Sequence, residues 1–271
     1  MDKLKLVKDP LEITVPTIPS KSTLQIIMTK MKKKKRFSFI RFGDQEIKLI
    51  KGGEGKKENH VGSPELTQAI RAAFQENNDD FMLATGHIKE HIYSGYRKFG
   101  FGFEPRLIET MYPIIDEYGI KDFYYSPSIP YLFATESTGM FKNFILEHIR
   151  PKRVLFIGGK HLNRPELINF LGIDLFIETP RVNAYYSMNE FYPKILENIE
   201  DYDVTIICAG IGKVPIQHQL WKDGYGSLDI VGSLSNLIIG DRNARGWMKY
   251  TKNEFSELVR DISPLESEQN V

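Results

Sequence analysis

Two carboxylates, Asp44 and Glu46, stand on either side of Gln45 in "RFGDQEIKLI", residues 41–50, just past the apolar run "FSFIRF" that ends at Phe42. If the chain stays extended there, side chains two apart share a face. Asp44 and Glu46 would then point the same way. Such a pair can hold a hard divalent cation, Mn2+ or Mg2+, that keeps positions open for water and phosphate oxygens. An ion so held neutralises a departing diphosphate. Gly43 lets the backbone approach a ligand, and Arg41 can pair with phosphate or hold one carboxylate. Spacing alone leaves a second reading open, in which the acids cap a helix.

Other groups follow strand-like runs. Gly158 and Gly159 close "KRVLFIGG", where they either let a loop approach a diphosphate or simply make a tight strand-to-helix turn. Lys160, His161 and Arg164 come next, as phosphate contacts or as a solvated basic loop. Arg181 and Asn183 in "TPRVNAYY" either touch a ligand or cap the helix near Ser187. Gly210 and Gly212 in "CAGIGK" form a turn that can touch a ligand, but Pro215 breaks the G-x-G-x-x-G dinucleotide pattern. Asp229 interrupts the apolar "SLDIVG", where an unpaired charge is costly. It must be paired or face a site.

The elements that position these residues alternate. Strands are expected at "FSFIRF", "DFMLATG", "DFYYSPSI", "KRVLFIGG", "DLFIETP", "YDVTIICAG" and "GSLDIVG". Helices are expected after Ser20 or Ser22, over "SPELTQAIRAAFQEN" with Ser63 as N-cap, and at "GMFKNFILEHI", "NEFYPKILENI" and "PIQHQLWKDG". The continuous apolar character of "KRVLFIGG" and the later strands is that of strands buried on both faces. The pattern predicts an α/β fold, a Rossmann-like, doubly wound and mostly parallel sheet with ligands at the strands' carboxyl ends. The expected organisation is an N-terminal arm and helix over 1–35, one domain over 36–262 and a frayed tail over 263–271.

Composition excludes several classes. Of 271 residues, 36 are basic and 35 acidic, so the net charge of +1 gives no global field to recruit nucleic acid or a membrane surface. The run Lys32–Arg36 reads as a solvated helix C-terminus. Cys208, the single cysteine, excludes an intrachain disulfide and reads as an inert core thiol. No run reaches the roughly 20 apolar residues of a membrane helix. A soluble, cytoplasmic protein is expected.

Four ordered segments carry a resemblance. "RFGDQEIKLIKGG" resembles the RFGDGE signature of the GT-D type glycosyltransferases, once catalogued as a domain of unknown function in bacterial protein glycosylation. "SPELTQAIRAAF", "FIETPRVNAYYSMNEFYPKIL" and "IICAGIGKVPIQHQLWKDGYGSLDIVG" resemble its later segments, so the likeness covers about residues 36–235. It implies a Rossmann-like domain that moves a sugar from a nucleoside diphosphate, usually UDP, to an oligosaccharide or glycoprotein acceptor. It also implies Mn2+ or Mg2+ held through Asp44 and Glu46, with Glu46 the direct ligand. Gln45 stands where the family often has glycine, and "GGKHLNRPEL" departs from the family's loop.

In that setting Arg41, Phe42, Gly43, Asp44, Gly158, Gly159, Lys160, Arg181, Asn183, Gly210 and Gly212 are the expected donor contacts. An inverting transfer needs a base beside the acceptor hydroxyl. Asp229, Asp241, Glu136 and His218 are the candidates, His218 having a structural role as its alternative. The aromatics of residues 91–133 are either core or a platform for an acceptor sugar, with "YRKFGFGFEP" the best acceptor loop. A metal-dependent phosphohydrolase and a non-catalytic nucleotide- or glycan-binding protein are the rival readings.

Overall fold

The computed structural model describes residues 17–52, 62–85, 113–129, 138–240 and 252–262. Strands β1 (Thr17–Ile18), β2 (Ser38–Arg41), β3 (Phe81–Ala84) and β4 (Tyr124–Tyr125) form one sheet in the order β1-β4-β3-β2. Strands β5 (Val154–Gly159), β6 (Ile173–Thr179) and β7 (Val204–Cys208) form another in the order β6-β5-β7. All pairings are parallel.

A single residue joins the halves. Leu228 bridges in parallel to Phe39 on one side and to Ile206 on the other. Phe39 N–H donates to the Ser227 carbonyl and Asp229 N–H to the Phe39 carbonyl, both at 2.9 Å. Leu228 N–H donates to the Thr205 carbonyl at 2.8 Å, and Ile207 N–H to the Leu228 carbonyl at 3.0 Å. Buried Gln217 braces the joint, its amide donating to the Phe39 carbonyl at 3.2 Å and meeting Ser227 Oγ at 3.1 Å. The expected last strand over "GSLDIVG" is thus a bridge at the centre of the molecule.

Helices cover both faces: α1 (Ser20–Lys32), α2 (Asp44–Ile50), α3 (Pro64–Phe74), α4 (113–118), α5 (Thr138–Phe144), α6 (Pro165–Leu171), α7 (Met188–Asn198), α8 (Lys213–Lys222), α9 (Ser233–Ile238) and α10 (Lys252–Ile262). The result is the expected α/β architecture of a parallel sheet between helices. A π-helical turn, Ile145–Ile149, extends α5. No helix among the described residues is long and apolar enough to cross a membrane.

Several local expectations hold. Ser63 Oγ accepts from Leu66 N–H at 3.2 Å, with Pro64 at the first helical position. The α1 helix forms with Pro19 at its N-cap, and Ser20 inside it meets Ser126 Oγ at 2.7 Å instead of capping. Leu24 and Ile27 of α1 are fully buried in the same core as Phe39, Phe156 and Ile206. Strand β6 departs from the buried pattern. It is a sheet edge, and Asp174 and Glu178 on it are exposed.

Candidate functional site

The strand β2 carries four buried residues and ends at Arg41. Phe42 N–H still reaches the Ala84 carbonyl of β3 at 2.8 Å, after which Gly43 turns the chain into α2. Glu46, at the third helical position, accepts from Gly43 N–H at 3.0 Å. This is the reciprocal half of a capping box, because glycine has no side chain to supply the other half. The extended geometry expected for Asp44 and Glu46 is therefore corrected. They sit at the first and third positions of a helix, and residues two apart on a helix do not share a face. The Asp44 side chain lies outside the described residues.

Glu46 is 6% exposed and belongs to a cluster of four charges. The Lys213 ammonium lies 3.4 Å from Glu46 Oε1 and 2.8 Å from Asp229 Oδ2. Arg41 Nη2 donates to Asp229 Oδ1 at 2.5 Å. Two cations and two carboxylates thus cancel at the junction of the sheet halves. Burial alone would raise the Asp229 pKa, but Arg41 and Lys213 outweigh it and hold the carboxyl below its ordinary range. Burial likewise opposes the Lys213 charge, yet Asp229 and Glu46 leave its pKa raised. Asp229 and Lys213 therefore both keep their charges at neutral pH.

The backbone is shaped around these contacts. Gly232 has φ +44°, and a Cβ there would collide with the Arg41 guanidinium. Gly210 has φ +56° in the turn before α8. A Cβ on Gly212 would press at 3.1 Å on Ala184 Cβ and Tyr185 N, so that turn packs directly against the segment after β6.

The structure gathers Arg41, Gly43, Glu46 and Asp229, with Gly210 and Gly212 leading into Lys213. Phe42 is buried edge-on against Phe74, at 5.0 Å between ring centroids. Gly158 and Gly159 end β5 and exposed Lys160 follows them, while exposed Arg181 and half-buried Asn183 follow β6 at the same carboxyl edge. A Cβ on Gly159 would lie 3.6 Å from Arg181 Cα, so the two loops touch. Asn183 adopts φ +57°, a left-handed conformation asparagine tolerates.

His218 is not brought to this cluster. It lies farther down α8, 3.4 Å from Glu76 and packed on Phe81, the first residue of β3. Burial, then Lys222, lowers its pKa. Cys208 is partly buried, and burial and the Asp229 charge push its thiol pKa up. Asp241, Glu136 and the "YRKFGFGFEP" loop lie outside the described residues. Of the aromatics expected as a platform, Tyr124 is buried and stacks on Phe74 at 5.7 Å, and burial pushes its hydroxyl up to about 12.

Sequence reasoning missed Lys213. A signal was there. A cation at the first position of a helix opposes the positive end of the helix dipole, so a carboxylate must hold it.

Metal fit follows from the donors. Among the described residues no three carboxylate, histidine or cysteine groups converge on a metal position. Glu46 offers hard oxygen chemistry, and Oε1 already faces a cation, the Lys213 ammonium. A carboxylate of this kind suits a divalent ion bound by one or two carboxylates and completed by phosphate oxygens and water, but the ammonium occupies that face of Glu46.

No protein-family model matches the chain, and no curated protein matches it. Solved structures do. A selenomethionine-substituted domain of unknown function 1792 aligns with TM-score 0.67 at 16% identity, over 83% of this chain and 80% of that one. A protein described as a new glycosyltransferase (DUF1792) from Streptococcus sanguinis aligns with TM-score 0.62 at 18% identity, over 82% of each chain. This chain has the DUF1792 fold. A third structure, described as showing that this domain "has a distinct glycosyltransferase fold", aligns with TM-score 0.65 at 17% identity over 80% of this chain and 78% of that one. The DUF1792 fold is the one that the four sequence segments led us to expect.

Proposed function

We propose that this protein is a glycosyltransferase that takes a sugar from a nucleoside diphosphate, a UDP-sugar first, and passes it to an oligosaccharide or glycoprotein acceptor in the cytoplasm. One observation carries the reading: the buried cluster of Arg41, Glu46, Lys213 and Asp229 lies where the two halves of a DUF1792-fold sheet meet. The cluster stands at the carboxyl ends of parallel strands, where open α/β sheets receive their ligands. The likeness to a structure described as a glycosyltransferase supports the same conclusion.

In this reading Lys213 meets the diphosphate with the ammonium hydrogen not directed at Asp229 or Glu46. The glycine turns at 158–159 and 210–212, with Lys160, Arg181 and Asn183, line the donor. Glu46 and Asp44 are the residues that would hold Mn2+ or Mg2+, which when bound would neutralise the leaving diphosphate. Asp229 organises the two cations. Its depressed pKa and double pairing make it a weak base, which leaves Asp241 and Glu136 as the base candidates beside the acceptor hydroxyl.

Release of UDP from UDP-sugars, with and without a glycan acceptor and with and without Mn2+, tests the proposal. Acceptor-stimulated release that falls at least tenfold in Glu46→Ala is expected. Acceptor-independent release of phosphate would favour a phosphohydrolase, and glycan binding with no turnover would favour a binding protein.

A further inference from the structure

We propose that Lys213 is an internal counter-cation that closes Glu46 to a divalent ion until a diphosphate arrives. The inference deepens the nucleotide-sugar reading and rests on it.

The cluster is already neutral. Asp229 answers Arg41 at 2.5 Å and Lys213 at 2.8 Å, while Glu46 answers Lys213 at 3.4 Å and Gly43 N–H at 3.0 Å. A divalent ion arriving alone would meet a carboxylate whose charge is spent, beside an ammonium and a guanidinium that repel it. Like charges held this close outside bulk water interact strongly.

The two lysine contacts differ in closeness. Lys213 is tighter to Asp229 than to Glu46, so the Glu46 contact is the one that gives way first. A diphosphate brings two or three negative charges and offers the ammonium a new acceptor. Lys213 reaches the surface, its side chain 14% exposed, and has three donors to distribute. Turning one hydrogen from Glu46 to a phosphate oxygen frees Glu46 Oε1 for a cation while Asp229 keeps the lysine in place. Metal and nucleotide therefore bind cooperatively, and each raises the other's affinity by the same factor.

Direct Mn2+ binding, followed by the loss of the free-ion signal in electron paramagnetic resonance, tests this without reference to turnover. Titrations use the parent chain with and without UDP, and Lys213→Met without UDP. In the parent, UDP is expected to tighten Mn2+ at least tenfold. Lys213→Met is expected to bind Mn2+ alone at least tenfold more tightly than the parent does. Mn2+ affinity in Lys213→Met equal to or weaker than in the parent would overturn the proposal. Should that variant not fold, the parent titration decides, because a Mn2+ affinity that bound UDP leaves unchanged would overturn it equally. Absence of UDP binding under any condition would instead overturn the nucleotide reading, and the Lys213→Met titration would still decide whether lysine and metal compete.

Discussion

The two ends of the sheet each hold an aspartate between two cations. At the carboxyl end Asp229, 1% exposed at its side chain, is clamped by Arg41 and Lys213. At the amino end Asp80, 20% exposed, is clamped by Lys30 at 2.5 Å and Lys35 at 2.8 Å. The chemistry is the same and the setting differs. Asp80 fastens the end of α1 and the basic run after it to the turn before β3, and water can replace either partner. Asp229 is shielded from water, so removing its charge takes a carboxylate from buried Arg41 and from Lys213 at once. The first is a surface staple, while the second fixes the geometry of a site.

Asp229→Asn breaks this comparison most severely. Loss of one partner of a buried ion pair costs about 3–5 kcal/mol, and here Arg41 and Lys213 each lose a carboxylate while Lys213 keeps Glu46. Urea denaturation should show a loss of that size. Acid should reveal the same carboxylate. Its folded pKa lies below the unfolded value of roughly 3.9, so the unfolded chain binds the proton first. The stability it supplies is complete above that value and is lost as pH falls through the lower folded pKa. The parent should therefore lose stability steeply below about pH 4, and Asp229→Asn should show a flatter profile in the same window.

Gly232→Ala should come next, at about 1–3 kcal/mol, because it combines a left-handed φ with a collision against Arg41. Thermal unfolding measures it. Asp80→Asn should cost under about 1 kcal/mol, as exposed pairs do, and its small effect should shrink further in high salt.

How much of this was legible follows the same division. The alternation of apolar runs and caps such as Ser63 predicted the parallel α/β sheet, because burial and capping are local properties of a segment. The turn after Arg41 was misread. Entry into a helix there is favoured by the Glu46 carboxylate on Gly43 N–H and by Ile47 N–H on the Gly43 carbonyl, contacts that the residue types permit without requiring. Asp229 was recognised as needing partners, but Arg41 lies 188 positions away and Lys213 on another element. Long-range pairing of charges leaves no periodic trace. Lys213 left only the anomaly of a cation at a helix start.

Calorimetric titration of UDP in the presence of Mn2+ tests the central claim most directly, using the parent, Lys213→Met and Asp80→Asn. The account predicts that UDP binds the parent and Asp80→Asn alike and binds Lys213→Met at least tenfold more weakly. Equal affinity in all three, or no binding by the folded parent, would contradict it.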